Sequence, residues 1–276
     1  MAKAELSAGP IHYEDSGGDG QPLVLIHGLA MDGRVFDDLV AALAPEYRCI
    51  RPTFPLGSHS EPMRPDVDLS LRGQARLIAQ LIESLGLEHA ALCFNDWSCG
   101  QVMVADGLLD RVDDLIFVSC ETENNYPPGL GGKAAVLSAK LPGGFSVMRQ
   151  VLLRSSLRGL PFIYGQMSKR GVPDPLMREW LEPLRRPEIR RDVRKYVGDV
   201  RRGSQAMKEA TPSLAEWERP VLVVWDSEGK MMPNQEGRRL AEAFPNARYA
   251  EIEDTYTLIP IDQPQRLAAE IRDFLG

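Results

Sequence analysis

Residues 93–101 read Cys-Phe-Asn-Asp-Trp-Ser-Cys-Gly-Gln and bring a carboxylate, Asp96, within two positions of a hydroxyl, Ser98. A buried apolar run precedes them, and an apolar helical pattern follows. A strand, a tight turn and a helix in this order form a nucleophile elbow, which holds one side chain above a parallel sheet. A carboxylate is ionised at neutral pH and can attack carbon without a base, whereas a hydroxyl needs a base to take its proton. The residue at the tip of the turn therefore decides the chemistry.

The elements that must position this turn are those of an α/β protein. Short runs rich in Val, Ile and Leu alternate with amphipathic segments, which is the pattern of buried parallel strands joined by helices. The clearest predicted strands are residues 23–26, 90–93, 115–118, 221–225 and 248–252. Residues 68–85 place apolar side chains on one helical face and stop at Gly86, which predicts a helix. We therefore expect a mostly parallel sheet flanked by helices.

The stretch from 124 to 212 interrupts the alternation of strands and helices. It contains Pro-Pro-Gly and Pro-Gly-Gly, followed by helical patterns without a convincing strand. We predict a core of residues 1–123 and 213–276, with residues 124–212 forming a helical cap over the strand ends, where α/β sheets bind ligands. The substrate-binding candidates in the cap are Tyr164, Met167 and Trp180.

One part of this insertion is basic. Residues 178–202 contain nine Lys or Arg against five Asp or Glu. A run of cations interspersed with acids is usually a solvated helix surface. The alternative is a docking face for an anionic substrate or an acidic carrier protein.

Composition limits the other partners. The 276 residues are 43% hydrophobic and 26% charged, with a formal net charge of -7, so we expect no nucleic-acid partner. No secretory signal pattern opens the chain, and no apolar run reaches the length of a membrane span, so we predict a cytoplasmic protein without a membrane partner. The four cysteines form no CxxC pair, so neither a metal site nor a disulfide framework is expected. The oligomeric state is left open.

The motifs around the elbow resemble those of the α/β-hydrolase superfamily, and the resemblance covers nearly the whole chain. Leu25-Ile26-His27-Gly28 looks like the oxyanion-loop signature of that family, which makes His27 a candidate residue of the binding site. Residues 85–96 match the family pattern that runs from Leu-Gly through a strand to the nucleophile without a gap, and this match places Asp96 in the nucleophile slot. Placing Ser98 there would lengthen the strand and turn by two residues, so Ser98 is kept as a substrate-binding candidate.

Asp followed by Trp at this turn is similar to the haloalkane dehalogenase and epoxide hydrolase branches, in which a carboxylate attacks carbon to form an ester. The resemblance implies an oxyanion hole formed by the backbone N–H groups of Leu29 and Trp97. It also implies that Trp97 lines the pocket, although packing beneath the cap is an equal alternative. A small-molecule substrate and no cofactor are expected.

The chain departs from the family pattern at the position of the catalytic base. The family hydrolyses its ester with water activated by a His after the last strand, but Thr257 fills that slot here, preceded by Tyr256. No His follows His89. His59 lies in a loop where we expect it to be solvated.

The acid position departs as well. Gly229 takes the slot after the strand that ends near residue 225, with Asp226 and Glu228 as possible substitutes. The other acid site of the family, after the preceding strand, offers Glu121 and Glu123. The triad is therefore atypical.

Three functions follow from these residues. The first is hydrolysis of an epoxide, halide or ester-like bond in an apolar molecule by a cofactor-independent enzyme with Asp96 at its centre. The second is a lyase, isomerase or cyclase reaction in which Asp96 is a general acid or base and Tyr256, Thr257 and Trp97 shape the cavity. The third is a binding protein that has kept the fold and lost the chemistry.

Overall fold

The computed structural model describes residues 1–96, 99–161 and 163–276. The strands of this part of the chain are β1 (Ala2–Leu6), β2 (Gly9–Asp15), β3 (Pro22–Ile26), β4 (Arg48–Thr53), β5 (Ala90–Asp96), β6 (Val112–Cys120), β7 (Val221–Asp226) and β8 (Ala247–Ile252). They form an eight-stranded sheet in the order β1-β2-β4-β3-β5-β6-β7-β8. β2 pairs antiparallel with both β1 and β4, and the other neighbouring strands are parallel.

The five predicted strands are found as β3, β5, β6, β7 and β8. All residues of β5 and β7 are buried, because helices cover both faces of the sheet, and this burial explains their continuous apolar sequences. The predictions for these strands are confirmed. The strands β1, β2 and β4 contain charged residues and are only partly buried, so their sequences lack an apolar run.

The helices of the described residues are α1 (Asp37–Leu43), α2 (Leu71–Ser84), α3 (Gly100–Ala105), α4 (Gly129–Lys140), α5 (Gly144–Leu152), α6 (Ser155–Arg158), α7 (Asp174–Leu181), α8 (Pro187–Val197), α9 (Val200–Ala210), α10 (Asn234–Ala243), α11 (Ile259–Asp262) and α12 (Pro264–Leu275). The helix predicted over 68–85 is α2, which Ser70 caps by accepting a 3.3 Å hydrogen bond from Gly73 N. Within the described ranges, no helix combines the length and apolar composition needed to cross a bilayer.

Six of these helices, α4 to α9, follow one another between β6 and β7. Apart from a bridge between Thr122 and Asn125, the described residues of this connection form no β pairing. The helical character predicted for residues 124–212 is therefore present. The division of the chain into a core and a cap stays a prediction.

Three buried polar contacts connect the loop after β4 to the helical segment. Asp192 Oδ2 of α8 accepts a 2.8 Å hydrogen bond from Met63 N and lies 3.4 Å from His59 Nε2. Ser58 Oγ donates to the Trp180 carbonyl at 2.8 Å. The expectation of a solvated His59 is wrong, since only 3% of the residue is exposed. This histidine holds the helical segment against the core.

Candidate active site

Asp96 ends β5, and α3 begins four residues later, at Gly100. Its backbone has φ of 62°, in the left-handed region that non-glycine residues rarely occupy. Such strained residues cluster at active sites, where the surrounding fold holds them in place. The residue is 3% exposed. Trp97 and Ser98, the next two candidates, lie outside the described residues.

The carboxylate of Asp96 lies against the loop after β3. Leu29 N donates to Asp96 Oδ2 at 3.3 Å, so the backbone group expected in the oxyanion hole contacts the carboxylate directly. A Cβ on Gly28 would lie 2.0 Å from the same oxygen, and only glycine permits this approach. The loop therefore leaves space for one carboxylate and supplies a hydrogen-bond donor to it.

His27 supports this loop from below. Its Nδ1 lies 2.8 Å from the Gly28 carbonyl, and its Nε2 accepts from Phe54 N at 2.9 Å. This pattern requires the neutral ring with its proton on Nδ1, and burial lowers the pKa of His27. Both ring nitrogens are therefore engaged by the backbone, and His27 is not among the described residues that line the cavity above Asp96.

An apolar cavity of about 240 Å³ opens above Asp96. Leu29, Ala30 and Asp96 form its floor, and the first two helices after β6 together with Ile163, Tyr164 and Met167 form its walls. Among the described lining residues, Asp96 and Tyr164 carry the ionisable side chains, and no Lys, Arg or His is present. The cavity therefore favours an uncharged, apolar molecule whose reactive atom faces Asp96.

Tyr164 brings a proton donor to this cavity. Its hydroxyl is buried and has no hydrogen-bond partner in the described part of the chain. Burial, and then the negative charge of Asp96, raise the pKa of Tyr164 well above its ordinary value. The phenol therefore stays protonated at neutral pH and is available to a ligand.

The loop after β8 is held by a buried acid, Asp262, which the sequence patterns did not single out. Its carboxylate accepts from Ser168 Oγ at 2.6 Å and from the backbone N–H groups of Lys169, Arg170 and Tyr256 at 2.8, 3.0 and 3.1 Å. Leu258 N also donates to the Met167 carbonyl at 2.7 Å. An acid inside the apolar run Ile259-Pro260-Ile261-Asp262 was the available signal. Asp262 thus joins the loop to the helical segment.

Tyr256 and Thr257 occupy different surroundings within this loop. Tyr256 lines a second cavity, shared with Tyr164 and Lys169, and the Lys169 ammonium lies 5.5 Å from its ring centroid. Thr257 is fully buried, and its Oγ1 has no partner among the described residues. Asn95, next to Asp96, donates from Nδ2 to the Thr257 carbonyl at 2.9 Å. Thr257, which the sequence match predicts to occupy the base slot, is therefore joined to the residue next to Asp96 and carries a neutral hydroxyl.

Gly229, which the sequence match predicts to occupy the acid slot, lies against the carboxylate of Asp226. Asp226, fully buried at the end of β7, accepts hydrogen bonds from Gly229 N and, at 2.9 Å, from Ser119 Oγ. A Cβ on Gly229 would lie 1.9 Å from Asp226 Oδ1, so no acid fits at position 229 without displacing Asp226. Burial raises the pKa of Asp226 to about 6, although the two hydrogen bonds act to lower it. Glu228, the other proposed substitute, is exposed and pairs with Lys169 at 2.7 Å.

Glu121 follows β6 at the same edge of the sheet as Asp96. It is 1% exposed, and its N–H donates to the Asp96 carbonyl at 3.1 Å. Burial is the largest cause that raises the pKa of both Tyr126 and Tyr196, and the negative charge of Glu121 is the second largest. A second buried acid therefore adjoins the elbow, surrounded by phenols.

Trp180, also predicted to bind substrate, is placed elsewhere. It is fully buried, its Nε1 donates to Asp32 Oδ1 at 2.9 Å, and it is not among the described residues that line the cavity. Met167 and Tyr164 do line it. In the described ranges, no three His, Cys, Asp or Glu side chains are grouped to hold a metal ion.

Comparison with known proteins identifies the class to which this fold and elbow belong. The model of the family described as alpha/beta hydrolase fold matches residues 21–264. The chain therefore belongs to the alpha/beta hydrolase fold family, and the predicted fold and superfamily are confirmed.

Haloalkane dehalogenases and esterases recur among the similar proteins. Haloalkane dehalogenase 2 of Mycobacterium tuberculosis is 24% identical over 278 residues, which cover 98% of this chain and 93% of the relative. The pimeloyl-[acyl-carrier protein] methyl ester esterase of Aeromonas hydrophila is 25% identical over 266 residues, 94% of this chain and 97% of the relative. The crystal structure of a putative ancestral haloalkane dehalogenase shares the fold with a TM-score of 0.78 at 19% identity, covering 100% of this chain and 98% of that one.

The raised pKa of Asp226 predicts how stability depends on pH. The unfolded chain releases the proton of this carboxyl group near pH 3.9. Between about pH 4 and about pH 6 the folded protein therefore binds more protons than the unfolded chain does. The contribution of Asp226 to the free energy of unfolding therefore falls by about 3 kcal/mol as the pH rises through this range. We expect Asp226→Asn to gain stability over the parent protein as the pH rises from about 4 to about 7, measured by urea unfolding.

Asp192→Asn is the matched control of opposite sign. Asp192 is also buried, but its hydrogen bonds from His59 and Met63 N outweigh burial and hold its pKa below the ordinary value. Its contribution is present at neutral pH and is lost as the pH falls, so Asp192→Asn should be most destabilised near neutral pH. Differences from the parent that do not change with pH in either variant would contradict the assignment.

Proposed function

We propose that this protein is a cofactor-independent enzyme in which the Asp96 carboxylate attacks an uncharged apolar molecule bound beneath a cap formed by residues 124–212. The substrate class is an alkyl halide, epoxide or ester-like compound. The observation that carries the proposal is the left-handed backbone of Asp96, which ends β5 with its carboxylate against Leu29 N and the apolar cavity. The dehalogenase and esterase names among the relatives support the same range of bonds.

The first step needs only groups that surround the cavity. Asp96 Oδ1 forms a bond to the substrate carbon while the bond from that carbon to the leaving group breaks, and the leaving group takes the electron pair. Leu29 N–H stays on Oδ2 and stabilises the carbonyl oxygen of the resulting ester. A halide departs as the anion, whereas the oxygen of an opened epoxide takes the Tyr164 proton. The apolar walls exclude water during this displacement.

The second step lacks its usual base. Hydrolysis of the ester requires a water molecule to attack the Asp96 carbonyl carbon and to give up a proton. Thr257, in the base slot, is a neutral hydroxyl and takes no proton at this pH. Loss of a triad member lowers turnover by several orders of magnitude. We therefore expect the ester to persist long enough to be isolated.

Incubation with a short alkyl bromide and, separately, with an alkyl epoxide tests this function by intact mass spectrometry. With the bromide, we expect the parent protein to gain the mass of one alkyl group, because the bromide leaves. With the epoxide, it should gain the mass of the whole molecule, because ring opening loses no atoms. Fragmentation of the labelled peptide should locate both groups on Asp96.

Two variants separate the nucleophile from its neighbour. Asp96→Asn removes the carboxylate charge and should show no adduct, while Ser98→Ala should react at the parent rate. An adduct that persists in Asp96→Asn, or disappears in Ser98→Ala, would remove Asp96 from the proposed role.

A second candidate function is supported by Tyr164. Its hydroxyl has no hydrogen-bond partner among the described residues and lines the same cavity as Asp96. The cavity therefore offers a proton donor and a proton acceptor to one substrate. A lyase, isomerase or cyclase reaction by proton transfer needs no ester and no Thr257 base. The two candidates differ in whether Asp96 ever becomes covalently bound.

Tyr164→Phe distinguishes the uses of this phenol. Because a bromide leaves without a proton and an alkoxide needs one, the variant should form the bromide adduct at the parent rate. Its epoxide adduct should form about a hundredfold more slowly. Equal slowing with both reagents would indicate that Tyr164 only shapes the cavity. Turnover that depends on Tyr164 and Asp96 without any adduct would favour proton transfer.

A further inference from the structure

Exposed apolar side chains are concentrated on two helices at the cavity. Apart from Met1, the large apolar residues that are exposed in the described ranges are Leu130, Leu137, Leu141 and Val147, with 63%, 57%, 49% and 63% exposure. Leu130 and Leu137 lie on α4, Leu141 follows it directly, and Val147 lies on α5. Single exposed apolar residues are ordinary, but a contiguous group indicates an interaction surface.

Helical geometry places the exposed residues of α4 on one face. At 100° per residue, Leu130, Leu137 and Leu141 fall within about 40° of one another, and Lys133 and Lys140 border them. The buried residues of α4, which include Ala135 and Ala139, lie on the opposite side. We call Leu130, Lys133, Leu137, Lys140, Leu141 and Val147 the apolar-basic face.

This face lies in a part of the chain that contains no acidic residue, although the whole protein is acidic. From residue 124 to residue 173 the sequence contains seven Lys or Arg and no Asp or Glu, while the whole chain has a net charge of -7. Lys133 and Lys140 are exposed, and neither forms an ion pair with a described residue. Their charges are therefore available to an anionic partner.

The basic run at 178–202 differs in this respect. Arg186 donates to the Ser60 carbonyl, Lys195 to the carbonyls of Pro65 and Val67, and Arg194 to the Ala139 carbonyl. Arg191 pairs with buried Asp192. These cations are therefore engaged by other groups of the protein, and those of Arg186 and Lys195 join the helical segment to the loop after β4. The apolar-basic face is thus the stronger candidate for binding a partner.

The apolar-basic face is continuous with the cavity. Val147 and Ala134, which lies on α4, are both exposed, and both also line the cavity. The cavity walls are apolar and carry no cation among their described residues. A surface that holds apolar molecules against this face would therefore deliver them directly to the side on which Asp96 lies.

We propose that the apolar-basic face binds peripherally to an anionic lipid surface, from which apolar substrates enter the cavity. Leucine side chains enter the boundary between headgroups and acyl chains, while the lysines extend their ammonium groups to lipid phosphates. A peripheral contact of this kind needs no spanning helix. A second copy of the chain fits less well, because symmetric pairing of this face would place Lys133 and Lys140 of the two copies together.

Vesicle flotation tests the proposal with the full-length chain and without any substrate. We expect the protein to bind vesicles of equimolar phosphatidylglycerol and phosphatidylcholine, and to bind vesicles of phosphatidylcholine alone much more weakly. Lys133→Glu with Lys140→Glu should weaken binding to the anionic vesicles at least thirtyfold, as an order-of-magnitude estimate. Leu137→Ser with Leu141→Ser should weaken it by about tenfold or more.

Arg201→Glu with Lys208→Glu is the matched control, with the same change of charge at exposed positions of α9, and should retain the parent's binding apart from a small general charge effect. Every changed side chain is exposed, so thermal unfolding followed by circular dichroism should match the parent. Absence of parent binding to anionic vesicles, or equal weakening in the control, overturns the proposal. Self-association that the face variants abolish, without vesicle binding, would instead assign the face to contact between copies. Because no turnover is measured, failure here leaves the role of Asp96 unaffected.

Discussion

The close approach of the Asp96 carboxylate to Gly28 is the constraint on which the rest of the site depends. Asp96 ends β5 with a left-handed backbone, and Gly28 lets its oxygen come close enough to meet the Leu29 N–H. Burial of β3 and β5 on both faces of the sheet fixes the two segments relative to each other. The strained residue is thus held at the end of a fully buried strand.

Two further buried acids hold loops near Asp96. Asp226 accepts a hydrogen bond from Gly229 N, and Asp262 accepts one from Tyr256 N, next to Thr257. Both acids serve the packing of loops through hydrogen bonds to backbone N–H groups. Under the proposed function, the site keeps groups for displacement at carbon and lacks a base for rapid hydrolysis, so a covalent ester on Asp96 is the species that tests it.

The sequence alone was enough to predict an element where burial determines its pattern of apolar residues. The strands β5 and β7 could be predicted because both faces are covered, and the choice of Asp96 came from the match of residues 85–96 to the family pattern. The sequence was not enough to predict the surroundings of a side chain whose hydrogen-bond partner comes from a distant segment. Trp180 looked like a pocket residue but donates to Asp32, and His59 looked solvated but lies against Asp192. The strands β1, β2 and β4 contain charged residues and are only partly buried, so their sequence signal was weak.

The most direct measurement of the central claim is a crystal structure of the protein soaked with a short alkyl bromide. The account predicts continuous electron density from Asp96 into the apolar cavity, with φ of Asp96 positive and its second carboxyl oxygen still within hydrogen-bond distance of Leu29 N. An Asp96 with an ordinary strand conformation, or an alkyl group attached to another side chain, would contradict it.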